Sequence, residues 1–598
     1  MSASLDSADV LVWGGGTGGA AAALQAARGG ATTLLLTPGS WLGGMVSAAG
    51  VCCPDGNELT PWQTGLWGAF LRELERREPE GLDHNWVSCF GYRPTTAEAI
   101  LQDWARAEPK LLWWPGCRLL AVERDGSLIT AVRVEVDGEQ RRVRCQVVID
   151  GSDRGDLLPL AEAPFRLGWE PQEQWGEPSA PSQERLNTEA FFREQPVQSP
   201  TWVVMGQLQG DAPAPELPEK PRLPAPFEQA CEAFGLERTI TYGRLPGGLV
   251  MLNWPLHGND WHWGLERAFS GNVEEEAELF REMQAHSLLF AAALQEASDG
   301  WLKLGQAFPA EAGSPAPWLA AMPYWREGRR MVGRSTVIEQ DLLPVGEGPS
   351  CAPLPRNQVG ELQSIAIGNY ANDHHYPGPD WPLAPKSCRW GGRWTGTPFC
   401  IPYGALVSAE IDNLLAADKA ISTSHMANGA TRLQPLILNV GQAAGAAAAL
   451  AVRSAGTAAQ VNVCGLQECL LNDPVAPAGV VPDWDTPWHH PRWLERQCTL
   501  LAGASDWPPP GSTTVKPLTG PGFGRPGCIQ VVGVVAPGPD QTYRFQRENK
   551  PMIPIITLEP AVQSVLREIV QPTRVMIEGT HNHWGPWFVV RTIAKAES

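Results

Sequence analysis

Three histidines lie in segments where an imidazole could take part in proton transfer. His425 lies in the segment SHMANGATR, and His374 and His375 directly follow Asp373. An imidazole takes up or releases a proton near neutral pH, so each of the three is a candidate catalytic residue. Neighbouring side chains on an extended chain point to opposite sides, which predicts that one of His374 and His375 faces a pocket. The alternative for each is a structural histidine that hydrogen-bonds a loop carbonyl.

Arginines in two segments form the second group of candidate site residues. The segment REGRRMVG contains Arg329 and Arg330, which are candidates for binding an anionic substrate, with Glu327 paired to one of them. The alternative is a structural network of salt bridges. Arg432 follows His425 in the same segment and could bind a cofactor oxygen or a substrate carboxylate. No Cys, His and carboxylate spacing of a known metal-site type surrounds these residues, so no metal is predicted.

The elements that must position these residues begin with a glycine-rich turn near the N-terminus. Gly14, Gly16 and Gly19 form the pattern GxGxxG inside a strand, turn, helix and strand that occupy residues 10–12, 14–19, 20–28 and 33–36. This order is the context that a dinucleotide-binding motif requires. Gly14 permits the tight turn, Gly16 lets the backbone approach a pyrophosphate, and Gly19 lets the helix pack closely. The helix N-terminus then offers N–H groups and partial positive charge to the phosphates.

The second strand of this unit departs from the usual motif at its end. Thr37 occupies the place where such motifs carry Asp or Glu to bind a ribose hydroxyl. A threonine hydroxyl can make only a weaker, uncharged hydrogen bond there. The departure bears on the adenosine end of the dinucleotide and leaves the predicted pyrophosphate site in place.

Two later stretches favour FAD over NAD. Residues 118–149 are three β-type runs separated by Asp-Gly pairs, which predicts a meander of the kind inserted at this point in flavoproteins related to disulfide reductases. Residues 414–416 predict another strand, and Asp418 then occupies the place where FAD proteins bind the ribityl or pyrophosphate region. A helix of small residues is predicted to begin at the run Gly441, Gln442 and Ala443. In such folds the N-terminus of this helix lies beside the flavin pyrimidine ring. The alternative is that the segment is an ordinary alanine-rich helix packed in the core, with no contact to the flavin.

Together these segments resemble the FAD-dependent oxidoreductase family of the xanthan-lyase-like type. The matching pieces run in the expected order over roughly residues 1–455: GGGTGGAAAALQAARGG, WLGGM, DGSDRGDLLPLAEAPFRLGWE, REGRRMVG and IPYGALVSAEIDNLLAADKAISTSHMANGATRLQPLILNVGQAAG. The resemblance implies an α/β fold with a Rossmann-like FAD-binding domain, an inserted substrate or cap domain, and Arg329 and Arg330 near the boundary between cap and flavin. Gly43, Gly44 and Met45 are expected to bring the main chain close to the flavin or the pyrophosphate.

The chain is expected to divide into five parts, because the FAD-binding domain is interrupted by the cap. These are the first part of the FAD-binding domain (1–165), the substrate or cap domain (166–395), the second part of the FAD-binding domain (396–470), a connecting arm rich in Pro and Trp (471–514), and a small β-rich module (515–598).

Composition narrows the choice of partner and location. The chain has 46 Lys and Arg against 65 Asp and Glu, a formal net charge of −19, which argues against binding nucleic acid or anionic membranes. No run approaches 18 apolar residues, and residues 1–9 lack the basic start of a signal peptide. A cytoplasmic protein with a small-molecule substrate is therefore expected, and the sequence leaves its electron acceptor open.

The leading hypothesis is an FAD-dependent dehydrogenase or oxidase that moves a hydride from a small organic substrate to flavin N5. One alternative is a flavin monooxygenase or a reductase fed by NAD(P)H, although no second GxGxxG indicates a separate nicotinamide domain. An alternative of another class is a non-catalytic ligand-binding scaffold that retains the FAD fold. Thr37 is the one sequence feature that favours the scaffold.

Overall fold

The structure is a computed structural model that describes residues 7–596 apart from 211, 310–315, 379, 504–523, 525–526, 549 and 583. In chain order, its strands are β1 (Ser7–Trp13), β2 (Thr33–Leu36), β3 (Leu111–Trp114), β4 (Arg118–Asp125), β5 (Leu128–Val136), β6 (Glu139–Asp150), β7 (Phe165–Arg166), β8 (Val204–Gln207), β9 (Gly243–Arg244), β10 (Leu249–Leu252), β11 (Lys303–Leu304), β12 (Arg330–Met331), β13 (Ser364–Asn369), β14 (Ser387–Trp390), β15 (Arg393–Gly396), β16 (Pro398–Pro402), β17 (Leu414–Ala416), β18 (Ile529–Pro537), β19 (Tyr543–Gln546), β20 (Ile553–Ile556), β21 (Thr573–His581) and β22 (Phe588–Lys595). Its α-helices are α1 (Thr17–Arg28), α2 (Gly65–Arg77), α3 (Pro94–Ala107), α4 (Leu157–Leu160), α5 (Gln172–Trp175), α6 (Gln183–Thr188), α7 (Phe191–Glu194), α8 (Gly235–Thr241), α9 (Val273–Ala297), α10 (His425–Thr431), α11 (Gln434–Arg453), α12 (Val463–Leu471), α13 (Trp493–Ala502) and α14 (Pro560–Arg567).

A large mixed sheet carries the N-terminal motif. Its strand order is β3-β2-β1-β6-β5-β4, and β17 also pairs with β6. The pairs β1–β2, β2–β3, β1–β6 and β17–β6 are parallel, whereas β4, β5 and β6 form an antiparallel meander. β6 belongs to both parts, because residues 139–144 pair with β5 and residues 144–150 pair with β1. The α/β fold, the βαβ unit and the meander predicted from the sequence are thereby confirmed.

Helices α1 and α11 pack against each other through small residues. A Cβ placed on Gly441 or Gly445 would overlap the carbonyl oxygens of Gly18 and Ala22 on α1. The predicted start of this helix at Gly441 is wrong, because α11 begins at Gln434. Leu433 is extended and Pro435 occupies the first turn, where its missing N–H leaves no intrahelical bond unmade. The run Gly441, Gln442 and Ala443 therefore lies about two turns inside the helix.

Within the part of the chain that the structure describes, α11 is the one helix long and apolar enough to cross a membrane. Its most apolar window is 89% buried inside the protein. Its packing against α1 makes it a helix of the core.

The segment between the two halves of the main sheet contains a second, smaller sheet. Its four strands have the order β11-β8-β10-β9, and the long helix α9 lies in the same segment. The Asn272 side chain accepts from the N–H of Glu274, and acidic residues in the first turn of α9 favour its N-terminus. β13 pairs antiparallel with β16 and leads the chain directly into residues 370–376.

The C-terminal part contains the expected β-rich module. Strands β18, β19, β20, β22 and β21 form a closed barrel in that order, with α14 between β20 and β21, as is typical of OB-type barrels. Ile556, Leu558 and Val589 pack into the main hydrophobic core, so the barrel is joined to the body. Parts of the predicted connecting arm and of the start of this module lie outside the described residues.

Candidate active site

The glycine turn leaves no room for side chains. Gly14 has a φ of +93°, and a Cβ there would lie 2.6 Å from the Ser152 nitrogen. A Cβ on Gly16 would lie 2.6 Å from the Gly151 oxygen and 2.7 Å from Asp418 Oδ2, and one on Gly19 would overlap the Gly14 oxygen. All three positions of the predicted motif therefore require glycine.

The turn opens onto the N-terminus of α1. Gly16 caps this helix without a side-chain hydrogen bond, and the first turn contains no acidic residue. The N–H groups of a first turn have no intrahelical acceptors, which suits a bound phosphate. Asp418 lies at this end, as predicted, and its Oδ2 accepts from the Gly18 N–H at 2.7 Å. Burial raises the pKa of Asp418 to about 6, although Lys419 counteracts the effect.

The segment WLGGM packs against the same turn. The Gly43 N–H donates to the Gly15 oxygen at 2.8 Å, and the Thr17 hydroxyl donates to the Gly43 oxygen at 2.7 Å. Gly44 has a φ of +50°, and a Cβ on it would lie 2.9 Å from Gly16 Cα. Met45 is buried beside them. The close main-chain approach expected of Gly43, Gly44 and Met45 is therefore directed at the glycine turn, which together with α1 fits a pyrophosphate.

Thr37 lies at the end of β2 with its hydroxyl turned into the protein. Its Oγ1 donates to the Gly39 oxygen at 2.7 Å and accepts from Trp113 Nε1 at 2.9 Å. The residue is 1% exposed. This geometry does not support the predicted hydrogen bond to a ribose.

A cavity of about 220 Å³ lies at the N-terminus of α11. Residues 51–55, 324–326 and 370–375 contribute to its wall, together with Arg432, Leu433 and Gln434 at the start of the helix. Gln434 Nε2 donates to the Val51 oxygen at 3.1 Å and holds the helix start against the first of these segments. Since that segment follows WLGGM within a few residues, one stretch of chain connects the glycine turn to the cavity.

Asp55 is the acidic side chain in this wall that lacks a partner. No group among the described residues hydrogen-bonds either oxygen of its carboxyl. Burial raises the pKa of Asp55 to about 8, with further increases from Glu58 and Asp373 that Arg393 and Arg432 partly offset. A carboxyl with a pKa near neutral pH can take up or release a proton during a reaction.

A network of charged residues forms part of the cavity wall. His375 directs Nδ1 at Asp260 (3.1 Å) and Nε2 at Asp373 (2.9 Å), so both ring nitrogens are engaged by carboxylates. Arg326 pairs with Asp260 at 3.0 Å. Arg432 pairs with Asp373 at 3.0 Å and donates to the Tyr324 hydroxyl at 2.6 Å.

His374 and His425 lie in a separate buried group. We call Glu327, His374, Tyr376 and His425 the histidine cluster. His425 Nδ1 meets Glu327 Oε1 at 2.8 Å, and its Nε2 meets the Tyr376 hydroxyl. His374 Nδ1 contacts the same hydroxyl at 3.0 Å, and its Nε2 donates to the Met426 oxygen at 3.1 Å. The prediction that His374 and His375 face different surroundings is confirmed, and all four ring nitrogens of His374 and His425 have partners.

Burial shifts the pKa values of this cluster towards neutral side chains. It lowers the pKa of His374 to about 3 and lowers that of His425 well below its ordinary value. It also raises the pKa of Glu327 to about 7, against the opposing effect of Arg330. The Trp169 ring covers His425 with its centroid at 3.9 Å. The cluster is thus a closed network with neutral imidazoles at neutral pH and one carboxyl, Glu327, that titrates near pH 7.

The other predicted site residues lie away from the cavity. Arg330 is fully buried between Glu170 (2.8 Å) and Glu327 (3.1 Å), and Arg329 lies 3.6 Å from Asp156. The structural alternative for these arginines therefore describes their positions better than substrate binding. Gln442 accepts from the Leu66 N–H at 2.9 Å inside the core, where Gly441 and Ala443 pack against neighbouring helices. None of these three residues lies at the start of α11.

Sequence reasoning missed two charged residues of the cavity wall, Arg326 and Asp55. Arg326 begins the segment REGRRMVG, but the reasoning weighed only the later arginines. Asp55 lies in the run Pro54-Asp55-Gly56, a composition typical of a surface turn. Its nearness to WLGGM in the sequence was the one available signal.

Comparisons with known proteins identify a family. The family model described as FAD dependent oxidoreductase matches residues 9–470. No curated protein sequence matches the chain. Among solved structures, a geranylgeranyl bacteriochlorophyll reductase-like protein from Thermoplasma acidophilum has 11% identity and a TM-score of 0.32 over 83% of this chain and 88% of that one. The anhydrotetracycline hydroxylase OxyS from Streptomyces rimosus has 12% identity and a TM-score of 0.29 over 55% and 54%. A triple mutant of the flavin-dependent brominase Bmp2 has 14% identity and a TM-score of 0.24 over 34% of this chain and 48% of that one. The present chain therefore spans about half the length of OxyS and of Bmp2.

Proposed function

Because the chain belongs to the FAD-dependent oxidoreductase family, we propose that it is a dehydrogenase or oxidase that oxidises a small organic substrate in the cavity at the N-terminus of α11. The observation that carries this proposal is the carboxyl of Asp55. It faces the cavity, has no hydrogen-bond partner among the described residues, and has a pKa of about 8.

The glycine turn and the first turn of α1 are the groups that would hold the pyrophosphate of FAD. Gly14, Gly16 and Gly19 exclude side chains there, and the segment that contains Gly43 and Gly44 closes over them. Asp418 lies within reach of the same end and suits a ribityl hydroxyl. When bound, FAD supplies the acceptor for a hydride at its N5.

Asp55 accepts the proton that the substrate loses. Oxidation of a C–H bond next to O–H or N–H removes a hydride from carbon and a proton from the heteroatom, and the proton requires a base. The three predicted catalytic histidines suit this role less well, because every ring nitrogen of His374, His375 and His425 already meets a protein partner. In this proposal His375 holds Asp373 and Asp260 in place.

Arg432 and the N-terminus of α11 supply positive charge at one end of the cavity. Arg432 lies immediately before the extended Leu433, which caps the helix. The partial positive charge of a helix N-terminus, joined to a guanidinium, favours an electron-rich group nearby. We propose that Arg432 acts towards the bound cofactor in this way, as expected from the sequence.

The test is the pH dependence of flavin reduction in the absence of oxygen. The purified protein is denatured to identify the released chromophore as FAD, and the intact holoprotein is mixed with small alcohols and amines from pH 5 to 10. At substrate concentrations well below saturation, the bleaching rate is expected to rise with pH and to level off above about 8, where Asp55 of the free protein is ionised.

Two variants decide the assignment. Asp55→Asn is expected to remove the step near pH 8 while FAD remains bound. Asp485→Asn is the control, since burial also raises the pKa of Asp485, to about 6, outside the cavity. A pH step that persists in Asp55→Asn would refute the role of Asp55 as the base.

A further inference from the structure

We infer that the substrate is an amine that binds as its cation, an inference that rests on the proposed function. It begins with the carboxylate oxygens that face the cavity. His375, Arg432 and Tyr370 contact Asp373 at 2.9, 3.0 and 3.5 Å, and all three meet the same oxygen, Oδ2. No described group bonds Oδ1, and the Asp373 side chain is 36% exposed. With the unpaired carboxyl of Asp55, the wall offers acceptor oxygens and one permanent negative charge.

The positive charges of the wall, Arg326 and Arg432, are much less exposed than the Asp373 carboxyl. Arg326 and Arg432 are each only 2% exposed. Arg326 donates hydrogen bonds to Asp260 and Thr201, and Arg432 donates hydrogen bonds to Asp373 and Tyr324. A ligand in the cavity therefore meets oxygen acceptors first, which favours a donor with positive charge over a carboxylate.

Aromatic rings complete the wall on the acidic side. Tyr242 and Tyr370 line the cavity and are both half-buried. Phenol faces attract the methylene groups that carry an ammonium charge. Two carboxyls beside two tyrosines therefore suit a small alkylammonium ion better than a neutral alcohol.

The two carboxyls respond differently to such a cation. Burial alone would raise the pKa of Asp373, but His375 and Arg432 lower it far below its ordinary value, so Asp373 stays ionised. Asp55 holds a proton at pH 7 partly because Asp373 is charged. The charged and titratable groups that face Asp55 are Cys53, Glu58, Tyr242, Tyr370, Asp373, Arg393 and Arg432. A bound cation offsets the charge of Asp373 and expels the proton of Asp55 to solvent.

The resulting carboxylate is placed for the reaction. A primary ammonium R–CH2–NH3+ gives one N–H proton to Asp55, which leaves the neutral amine R–CH2–NH2. Bound FAD would supply the acceptor for the hydride that the neighbouring carbon then loses. The organic product is R–CH=NH2+, so charge and atoms balance. Water then converts this iminium ion to an aldehyde and ammonium.

Calorimetry of the FAD-loaded protein tests the inference without turnover. Butylammonium, butan-1-ol and butyrate have the same chain and differ in charge, and each is titrated at pH 7 in phosphate and in Tris. Butylammonium is expected to bind at least tenfold more tightly than the other two. The difference between the buffers should show release of about 0.9 proton, the fraction that a pKa of about 8 leaves on Asp55 at pH 7. Equal affinities, tighter binding of butyrate or no proton release would overturn the inference.

Asp55→Asn separates this inference from the proposed function. In this variant butylammonium is expected to bind through Asp373 with no proton release, whereas Asp485→Asn should release protons as the unaltered protein does. Proton release that survives Asp55→Asn refutes the account of cation binding. Charge-selective binding together with unaltered flavin reduction in Asp55→Asn would instead refute only the role of Asp55 as the base.

Discussion

The cavity and the histidine cluster are built from similar residue types, but they differ in whether their polar side-chain atoms have hydrogen-bond partners. In the histidine cluster, Glu327, His374, Tyr376 and His425 bond one another, and both nitrogens of each ring have partners. In the cavity, the half-buried Asp55 carboxyl receives no hydrogen bond from the described residues.

This difference suggests different roles for the two regions, catalysis for the cavity and stability of the fold for the histidine cluster. A buried polar group without a partner costs free energy, so a fold retains one where a ligand completes it or a reaction uses it. A closed network has no free atom for a ligand and mainly fixes the positions of its members. We therefore expect substitutions in the cavity to change turnover and substitutions in the cluster to change stability.

The largest expected effect compares one side chain from each region. Asp55→Asn should lower the rate of flavin reduction by about 10²–10⁴-fold, the usual contribution of a general base. His425→Gln retains hydrogen-bonding groups in the cluster and should change that rate by less than about tenfold, since no substrate atom reaches the ring. Stopped-flow bleaching at pH 9, normalised to bound FAD, measures both rates. A larger loss in His425→Gln than in Asp55→Asn would reverse the assignment of the two regions.

The second prediction concerns stability. Glu327→Ala leaves three buried groups without their partner, namely His425 Nδ1, the Gln198 N–H and one side of Arg330. Removing one partner of a buried ion pair costs about 3–5 kcal/mol. Urea unfolding followed by tryptophan fluorescence should show a fall in unfolding free energy of this order.

The same truncation in the cavity is the matched control. Asp55→Ala removes no hydrogen bond to the described residues, so its unfolding free energy is expected to be equal to or higher than that of the unaltered protein. A loss as large as that of Glu327→Ala would mean that Asp55 has a structural partner after all.

The third prediction follows from the raised pKa of Asp55. Its pKa of about 8 in the folded protein lies above the ordinary 3.8, so the unfolded chain loses this proton at lower pH than the folded chain does. The contribution of Asp55 to stability therefore falls as pH rises from about 4 to 8 and is constant above that range. At pH 8.5 Asp55→Asn should be more stable than the unaltered protein by about 1–3 kcal/mol, and at pH 4 the two should agree. Urea midpoints at both pH values provide the comparison, and an equal offset at both would contradict the raised pKa.

The sequence predicted elements whose signals are local. The turn at Gly14, the strand Thr33–Leu36 and the Asp-Gly turns of the meander all depend on neighbouring residues, and each agrees with the structure. The start of α11 was misplaced because Gly441 and Gly445 look like a helix opening. Their real requirement is contact with Gly18 and Ala22, more than 400 residues earlier in the chain, which no local pattern reveals.

Part of the candidate site could be predicted from the sequence, because His375 and Arg432 were named as candidates and both line the cavity. The sequence identified segments 373–375 and 425–432, and both contribute to the two regions compared above. It could not show that every imidazole nitrogen is engaged, because the partners come from distant segments, such as Glu327 for His425 and Asp260 for His375. It also could not show that a carboxyl in a Pro-Asp-Gly turn is enclosed, because burial is a property of the whole fold.

The smallest expected effects come from deleting one hydroxyl in each region. Tyr376→Phe removes the group that lies between His425 Nε2 and His374 Nδ1, and leaves at least one buried ring nitrogen without a partner. Leaving a buried polar atom unsatisfied costs about 1–3 kcal/mol, which urea unfolding should detect, with flavin reduction nearly unchanged.

Tyr370→Phe removes a hydroxyl that lies 3.5 Å from Asp373, at the limit of a hydrogen bond, so the unfolding free energy of this variant should change by less than about 0.5 kcal/mol. Because the phenyl ring still lines the cavity, binding of butylammonium by Tyr370→Phe should weaken only a few-fold. If Tyr376→Phe and Tyr370→Phe lost equal stability, the number of hydrogen-bond partners would not distinguish the histidine cluster from the cavity. The role of Asp55 in catalysis would then depend on the turnover of Asp55→Asn alone.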